Sequence, residues 1–370
     1  MKVSMADLPA QYAALKSEID AAVLDVLATG MFGLTPATAE LETRIAEMSG
    51  VRFGVALNSG TDALLLSLMA LDLKPGDEVI TTPFTFVATA ETIALLGLTP
   101  VFADIDPLTY NLDPVDTERK ITPRTKAIIP VHLFGQMADM TELTALSQTH
   151  NLPLIGDAAQ AIGCYHHGAE VAKWSLLSTL SFFPTKNLGA AGDGGMVLTD
   201  DEELAEKLRY LRFHGSKGTY RYKYVGLCSR LDAVQTAVLQ VKLPHIASWN
   251  EARRQNAAYY DTAFQEIKGL VTPYTVPGNV HTYHQYTLRI TQGRRDDLKA
   301  FLAERGIGSG VYYPGSLHLE EAYLAYGGKP GDLPHSETAT GEVLSIPIMP
   351  ELKPEHREYV ARTVREFFGV

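Results

Sequence analysis

Apolar and polar positions follow two rhythms along the chain. Residues 11–29 carry apolar side chains every three to four positions, which predicts an amphipathic helix ending at Gly30, and a second helix is predicted over 37–48. Short β-branched runs follow at 79–82, 101–103, 127–131 and 154–156. Helical stretches at 61–73, 87–97 and 139–150 alternate with these runs. Short buried strands that alternate with helices favour a mostly parallel sheet covered on both faces.

The pattern changes towards the carboxyl end. Strands are predicted at 178–183 and 195–199 around a glycine-rich loop, then a helix over 201–213 and one or two long helices over 230–265, broken near Pro244. From residue 280 the order becomes strand 283–290, helix 296–305, strand 310–313 and helix 354–368. We therefore expect a large domain over residues 1–250 and a smaller α+β domain over residues 251–370, with the boundary inside 245–280.

Composition narrows the functional classes. The chain has 370 residues, 46% of them hydrophobic and 20% charged, which is typical of a folded globular protein. Its net charge of −11 argues against nucleic acid and anionic membranes as partners. The two cysteines, Cys164 and Cys228, exclude a cysteine-based four-ligand zinc site, and no metal is expected. With no apolar leader and no run of about 18 apolar residues, we expect a cytoplasmic protein.

Lys186 is the first candidate for chemistry. It lies just past a predicted strand, in a segment that ends in the glycine-rich run 189–195. An amine held between a buried strand end and a glycine loop is poorly solvated, and desolvation lowers the pKa of an amine. A lysine that forms a Schiff base needs this property. The segment alone is also consistent with a surface lysine in a mobile loop.

Asp157 is the second candidate. It closes a hydrophobic strand at the carboxyl edge of the predicted sheet, where ligands bind in open α/β folds. An aspartate at this place caps a following helix or pairs with the protonated ring nitrogen of pyridoxal phosphate (PLP). Asp157 and Lys186 follow successive predicted strands, so one cofactor fits between them.

The turn at 58–64 is the third candidate. Its small, hydroxylated residues open an apolar helix, with Ser59 or Thr61 as the cap residue. Free backbone N–H groups and the helix dipole make such a turn a phosphate site. Both interpretations hold together, because a bound phosphate completes the cap.

The order and spacing of these segments resemble the sugar aminotransferases of the DegT/DnrJ/EryC1/StrS family. The segments are 58–64 (NSGTDAL), 83–89 (PFTFVAT), 130–136 (PVHLFGQ), 157–160 (DAAQ), 181–187 (SFFPTKN), 192–195 (GDGG) and 229–232 (SRLD), with Gln235. The resemblance runs from about residue 7 to the carboxyl end. It implies the fold-type I PLP-transferase architecture: a large α/β domain with a mostly parallel seven-stranded sheet between helices, plus the smaller α+β domain.

The resemblance also implies how the cofactor is held. Lys186 is the residue that binds PLP covalently and then moves a proton. Asp157 pairs with the pyridine nitrogen, and Gln160 hydrogen-bonds the ring hydroxyl. The phosphate contacts are Gly60, Thr61 and Ser181, and Phe86 is the aromatic residue that stacks on the ring, although its residue type alone indicates only core packing.

A partner subunit is implied as well, since members of this family complete each active site with a loop from the second copy of a homodimer. The loop is 226–230 here. Cys228 stands where an asparagine usually binds the cofactor phosphate, and a thiol is a weak donor. Arg230 corresponds to the residue that reaches the substrate diphosphate from the neighbouring chain. A structural ion pair with Asp232 is the alternative for this arginine.

Three further residues are assigned to the substrate by resemblance. Tyr313 lies in a segment, 311–314, that often reads His-Tyr-Pro in relatives and lies near the diphosphate. Tyr312 departs from that histidine, and His318 is a neighbouring candidate. The implied substrates are a nucleotide-linked keto-sugar and L-glutamate.

The runs 86–93, 284–289 and 312–314 look most similar to the branch that aminates carbon 3 of UDP- or dTDP-linked 3-oxo sugars, in amino-sugar biosynthesis for a surface polysaccharide or glycoconjugate. The alternative is a carbon 4 aminotransferase acting on 4-keto-6-deoxy sugars. Lys186 argues against relatives that dehydrate and carry histidine there, and neither cysteine is placed as in a cysteine desulfurase. A regulatory protein that retains a PLP-like pocket is the non-enzymatic alternative.

Overall fold

The computed structural model describes residues 1–370 and shows the predicted alternation of strands and helices. The helices are α1 (Leu8–Thr29), α2 (Pro36–Met48), α3 (Gly60–Ala70), α4 (Ala88–Leu95), α5 (Pro114–Lys120), α6 (Met140–His150), α7 (Glu202–Leu211), α8 (Ala233–Lys242), α9 (Ile246–Phe264), α10 (Arg295–Glu304), α11 (Pro334–Glu342) and α12 (Pro354–Phe368). The strands are β1 (Phe53–Leu57), β2 (Glu78–Thr81), β3 (Thr99–Phe102), β4 (Thr125–Ile129), β5 (Ile155–Asp157), β6 (Tyr165–His166), β7 (Ala169–Glu170), β8 (Leu177–Ser181), β9 (Gly195–Thr199), β10 (Leu270–Val271), β11 (Asn279–Val280), β12 (Tyr286–Ile290) and β13 (Val343–Ile346).

Seven strands form one continuous sheet in the large domain. Their order is β1-β9-β8-β5-β4-β2-β3, with β4 and β5 joined by parallel bridges between Ile128 and Leu154 and between Val131 and Asp157. Only β9 runs antiparallel to its neighbours. The expected mostly parallel, seven-stranded fold-type I sheet is therefore confirmed.

Both faces of this sheet are buried because successive side chains point to opposite sides of each strand. In β9, Met196 and Leu198 pack into a core of 31 buried residues, while Val197 packs into a second core of 19. The first core includes α2 and α6, and the second includes α3 and α7. These two cores fix the sheet between two layers of helices, so the carboxyl ends of the parallel strands form one rigid edge.

The smaller domain is an antiparallel sheet, β10-β12-β13, packed against α10, α12 and the second half of α9. The predicted strand at 310–313 is wrong, since this segment makes only an isolated bridge from Gly310 to Ser345. The third strand of this sheet is β13 instead. This short run was not predicted because no turn signal marks it in the sequence. Fully buried Val343, Leu344 and Ile346 hold it in place.

The expected boundary at 250/251 falls inside α9. Asn250, in the first half of this helix, contacts Asn187 of the large domain, whereas Tyr260 and Phe264 are buried in the smaller core. The extreme amino terminus also departs from the expectation, because Val3 pairs with Ile307 and packs into the smaller core. α9 is a continuous helix shared by the two domains, which ties them to each other. Among the helices, none combines the length and the apolar character needed to cross a bilayer.

Candidate active site

Four strand ends bring the candidate residues together. β5 ends at Asp157 and β8 at Ser181, while the turn after β1 begins α3. The antiparallel β9 starts at the same edge, where Gly195 lies against the carbonyl of Ser59 so closely that any side chain would collide with it. The site therefore lies at the carboxyl edge of the sheet, as the sequence predicts.

Asp157 presents a buried carboxylate to this edge. Its side chain is 5% exposed, and its oxygens accept hydrogen bonds from the Thr89 hydroxyl at 2.8 Å and from the Ala159 amide at 3.2 Å. Burial raises the pKa of Asp157, while these two donors and the charge of Lys186 oppose the rise. No cation lies within ion-pair distance of it. A buried carboxylate with only neutral donors favours a protonated ligand group beside it.

Lys186 lies at the start of the glycine-rich loop, where its amide donates to the carbonyl of Phe183 at 2.8 Å. Its side chain is half-buried, and its ε-amine has no hydrogen-bond partner in the protein. Desolvation lowers the pKa of this amine to about 8, with Asp157 opposing the shift. The structure therefore favours the Schiff-base interpretation over a solvated surface lysine.

Gln160 connects the large domain to the smaller one. Its amide oxygen accepts from the Phe134 amide at 2.7 Å, and its amide nitrogen donates to the Tyr313 hydroxyl at 3.2 Å. These two bonds fix the orientation of the Gln160 amide and leave one of its N–H groups free. Tyr313 is thus placed at the Asp157 side of the same chain's site, and burial raises its pKa.

The turn after β1 provides a phosphate-sized cradle. Ser59 caps α3, with its hydroxyl accepting from the Asp62 amide at 3.0 Å. The amides of Gly60 and Thr61, at the open end of the helix, remain free. A Cβ at Gly60 would lie 2.7 Å from the Cβ of Ser181, so only glycine lets α3 approach β8 this closely. The cradle therefore combines the free amides of Gly60 and Thr61 with the hydroxyls of Ser59 and Ser181 at a helix amino terminus.

Two aromatic candidates differ in exposure. Phe86 is 56% exposed and its ring centroid lies 6.5 Å from that of Tyr313, so it is not the core residue that its type alone suggests. Tyr312 is half-buried against the cluster that contains Phe84. Phe86 therefore offers a free aromatic face at the edge of the site.

The side chains and amides at this site complement the chemical groups of PLP. A partnerless amine suits the aldehyde, a buried carboxylate without a cation suits the pyridine nitrogen, and free amides at a helix start suit the phosphate. The amine, the carboxylate and the free amides thus each complement one group of the cofactor.

The loop residues Cys228 and Arg230 contact one another. Arg230 donates from Nη2 to Sγ of exposed Cys228 at 3.1 Å and lies over the ring of Phe213, 4.8 Å from its centroid. The alternative ion pair with Asp232 does not form, since the side chain of Arg230 contacts Cys228 and Phe213 instead. This guanidinium remains available for an anion.

His318 is placed differently from the expectation. It is 1% exposed, its Nδ1 bonds the Ser316 hydroxyl at 2.9 Å, and its Nε2 bonds Glu337 at 3.2 Å. Both ring nitrogens are therefore used inside the smaller domain. We correct the assignment of His318 to the substrate: in this structure it is a buried structural histidine.

Sequence reasoning assigned no role to three residues around the site. Thr89 lies inside the segment 83–89, but only the fold brings its hydroxyl to Asp157 across 68 positions of sequence. His284 and Asn187 lie beside Lys186 and hydrogen-bond each other at 3.2 Å. The only available signal for His284 was its place in the run 284–289.

Comparisons with known proteins identify the family of this chain. The model of the DegT/DnrJ/EryC1/StrS aminotransferase family matches residues 13–365. The chain is 49% identical over its whole length to a protein of Geobacillus stearothermophilus named pleiotropic regulatory protein, covering 99% of it. It is 44% identical over 98% of its length to the UDP-N-acetyl-3-dehydro-alpha-D-glucosamine 3-aminotransferase of Acidithiobacillus ferrooxidans, covering 97% of that enzyme. The crystal structure of S. venezuelae DesV in complex with a ketimine intermediate superposes with a TM-score of 0.97 at 40% identity, covering 100% of this chain and 99% of DesV.

Proposed function

The chain belongs to the DegT/DnrJ/EryC1/StrS aminotransferase family and is a PLP-dependent enzyme, and from this premise we propose that it moves an amino group from L-glutamate to carbon 3 of a nucleotide-linked keto-sugar. The overall exchange converts glutamate to 2-oxoglutarate and a sugar carbonyl to an amine. The observation that carries the proposal is the partnerless amine of Lys186 beside the buried carboxylate of Asp157.

Lys186 is the catalytic residue of this proposal. When bound, PLP supplies an electron sink for the bonds at the amine-bearing carbon. Lys186 binds the cofactor and then carries a proton to and from that carbon with its ε-nitrogen. A pKa of about 8 suits both tasks, because the amine is neutral often enough to attack and basic enough to take a proton.

Asp157 and Thr89 hold the positive end of the cofactor. The Asp157 carboxylate would accept a hydrogen bond from the protonated ring nitrogen and favour the protonated state of that atom. Thr89 fixes the carboxylate through its 2.8 Å hydrogen bond. Since water is excluded from this buried carboxylate, the interaction is stronger than in bulk solvent.

The cofactor's other end is held by the α3 cradle. When the cofactor is bound, Gly60 and Thr61 would donate their amides and Ser181 its hydroxyl to the phosphate, and Phe86 would offer its aromatic face to the ring. These contacts bind and orient without taking part in proton transfer. Positioning of this kind lowers the entropic part of the barrier.

Amination at carbon 3 is supported by the relatives rather than by a contact in this chain. The Acidithiobacillus enzyme, whose name specifies 3-amination of a UDP-linked sugar, matches nearly the whole chain. We therefore propose a UDP- or dTDP-linked 3-oxo sugar as the acceptor. Assays with a 3-oxo and a 4-keto-6-deoxy nucleotide sugar distinguish the alternatives, and turnover of the 4-keto sugar alone would refute this assignment.

A homodimer with shared active sites is the second part of the proposal. Arg230 lacks an acidic partner, and the preceding loop exposes Tyr220 and Val225 by 88% and 89%. A second copy that covers this loop would bring Arg230 to the diphosphate of the neighbouring site. Mixing two inactive variants, Lys186→Ala and Arg230→Ala, then restores part of the activity, since mixed dimers contain one intact site. No recovery after subunit exchange would refute a shared site.

The regulatory name of the Geobacillus relative makes a direct test of the enzyme necessary. Purified protein with PLP is expected to be yellow and to lose that band when L-glutamate is added, with release of 2-oxoglutarate. Lys186→Ala is expected to abolish turnover while the fold persists. Normal turnover in Lys186→Ala, or a colourless protein that PLP does not restore, would contradict the proposed function.

A further inference from the structure

A short antiparallel ladder holds the loop 226–230 against the end of α7. Three backbone hydrogen bonds, 2.8–3.0 Å long, connect residues 211–214 with residues 227–229. Phe213 and Cys228 form the antiparallel bridge inside this ladder. Since residues that pair in a bridge lie directly opposite each other, the aromatic ring and the thiol are neighbours at the base of Arg230.

The backbone on both sides of this bridge is anchored in the large domain. Arg212, which precedes Phe213, is buried, pairs with Glu42 and donates from Nη1 to the carbonyl of Ala56 at 2.8 Å. Ser229, which follows Cys228, is buried as well, and its hydroxyl donates to Oδ1 of Asn58 at 3.3 Å. Phe213 and Cys228 therefore stand on a rigid base, although they lie near the surface.

The side chain of Arg230 lies against both residues. Its guanidinium carbon is 4.8 Å from the centroid of the Phe213 ring, and its Nη2 donates to Sγ of Cys228 at 3.1 Å. The face of an aromatic ring attracts a cation, and a thiol sulfur is a weak acceptor. One contact therefore acts on the face of the guanidinium and the other on its edge, so that together they define its place.

These two contacts leave the guanidinium able to bind an anion. It has five N–H donors, and the sulfur of Cys228 takes one of them. A carboxylate in the same place would neutralise the cation, whereas an aromatic face leaves its charge available. An arginine side chain that is already held in one place also loses less conformational freedom when it binds a ligand.

We propose that Phe213 and Cys228 are positioning residues for Arg230: they hold its guanidinium in the place from which it binds the diphosphate of the nucleotide-linked sugar. This inference rests on the proposed function, in which Arg230 reaches that diphosphate from the neighbouring subunit. It also gives Cys228 a role other than the contact with the cofactor phosphate that the family resemblance implies. Its thiol serves the substrate site through Arg230.

A double-mutant cycle separates positioning from a structural role. The probes are UDP and dTDP, titrated into the PLP-loaded full chain and followed by calorimetry. Arg230→Met removes the cation and should weaken binding about tenfold. Phe213→Leu removes the ring but keeps an apolar side chain, and it should weaken binding about threefold to fivefold. The double variant should bind like Arg230→Met alone, because no guanidinium remains to be positioned.

Conservative variants and a matched control complete the test. Phe213→Tyr keeps the aromatic face and should restore the affinity for the nucleotide. Cys228→Ala lacks the acceptor and should weaken nucleotide binding about threefold, whereas Cys228→Ser keeps an acceptor and should not. Phe301→Leu is the control, because the guanidinium carbon of Arg305 lies 3.3 Å from the centroid of that ring in the smaller domain. It removes the same kind of contact elsewhere and should bind nucleotide like the wild type.

Wild-type affinity in Phe213→Leu or in Arg230→Met would overturn the inference, and so would a double variant whose loss is the product of the two single losses. A wild type that binds neither nucleotide would overturn it too. If Phe213→Leu does not fold, the same cycle with Cys228→Ala decides. The proposed function is tested separately by turnover of the wild type with glutamate. A wild type that transaminates while Phe213→Leu binds nucleotide normally refutes only this inference, whereas a wild type without turnover refutes the proposed function.

Discussion

Replacing Lys186 with methionine is expected to stabilise the cofactor-free chain at neutral pH. Methionine keeps an unbranched side chain that is one atom shorter, and it removes an amine that is half-buried without a partner. Desolvation lowers the pKa of that amine from 10.5 to about 8. Between these two pH values the unfolded chain carries a proton that the folded chain does not, so the free energy of unfolding rises with pH across this window.

The size of the effect follows from the difference in pKa. A pKa lowered from 10.5 to about 8 corresponds to about 3 kcal/mol, which is the cost of keeping the amine charged in the folded chain below pH 8. The free energy of unfolding of Lys186→Met should therefore exceed that of the wild type by about 3 kcal/mol at pH 7. The difference should decrease above pH 8 and vanish near pH 10.5. At pH 7 about one amine in ten is neutral, about 300 times the fraction for an ordinary lysine.

The assay is urea-induced unfolding of both proteins without PLP at a series of pH values from 7 to 10, followed by circular dichroism. Lys299→Met is the matched control, because Lys299 is exposed on α10 and makes no ion pair. It should change the free energy of unfolding by less than about 0.5 kcal/mol at every pH. A wild type that is as stable as Lys186→Met at pH 7, or a difference that does not change with pH, would refute the reasoning.

Two further substitutions test the cradle and the core. Gly60→Ala adds a Cβ 2.7 Å from that of Ser181, and we expect about tenfold weaker PLP binding in a spectrophotometric titration. Gly33→Ala, where a Cβ meets no atom within 4 Å, should bind PLP like the wild type, and equal losses in both variants would contradict a role of the cradle. Arg212→Met leaves the buried carboxylate of Glu42 without its ion-pair partner, so urea unfolding should show a loss of about 3–5 kcal/mol. A loss below about 1 kcal/mol would show that this pair contributes little.

Local signals in the sequence were sufficient for most elements of the fold. The final helix begins at Pro354 and ends before Gly369, and the first helix ends at Gly30 with φ 66°, because glycine after a helix supports the left-handed conformation. The failures are non-local. Nothing near 310–313 or 343–346 reveals that the second segment, and not the first, pairs with β12. Nothing near Val3 reveals its contact with Ile307.

The candidate site divides in the same way. Lys186 and Asp157 were predictable because each follows a recognisable strand, and parallel strands must bring their carboxyl ends to one edge. The roles of Tyr313 and His318 were not, since each depends on a partner more than 15 positions away in sequence: Gln160 and Glu337. Whether a histidine is a ligand or a structural residue depends on which groups occupy its two nitrogens.

The sequence by itself therefore determined the alternation of strands and helices, the order of the cofactor-binding segments and the residue types that carry the chemistry. These properties depend on neighbours within a few positions and on the period of buried side chains. Only the tertiary structure decided that Asp157 is buried without a cation, that Lys186 has no partner, that His318 is fully engaged and that Arg230 has no acidic partner. Those properties depend on desolvation and on hydrogen bonds between residues far apart in the chain, which exist only after the two domains have packed.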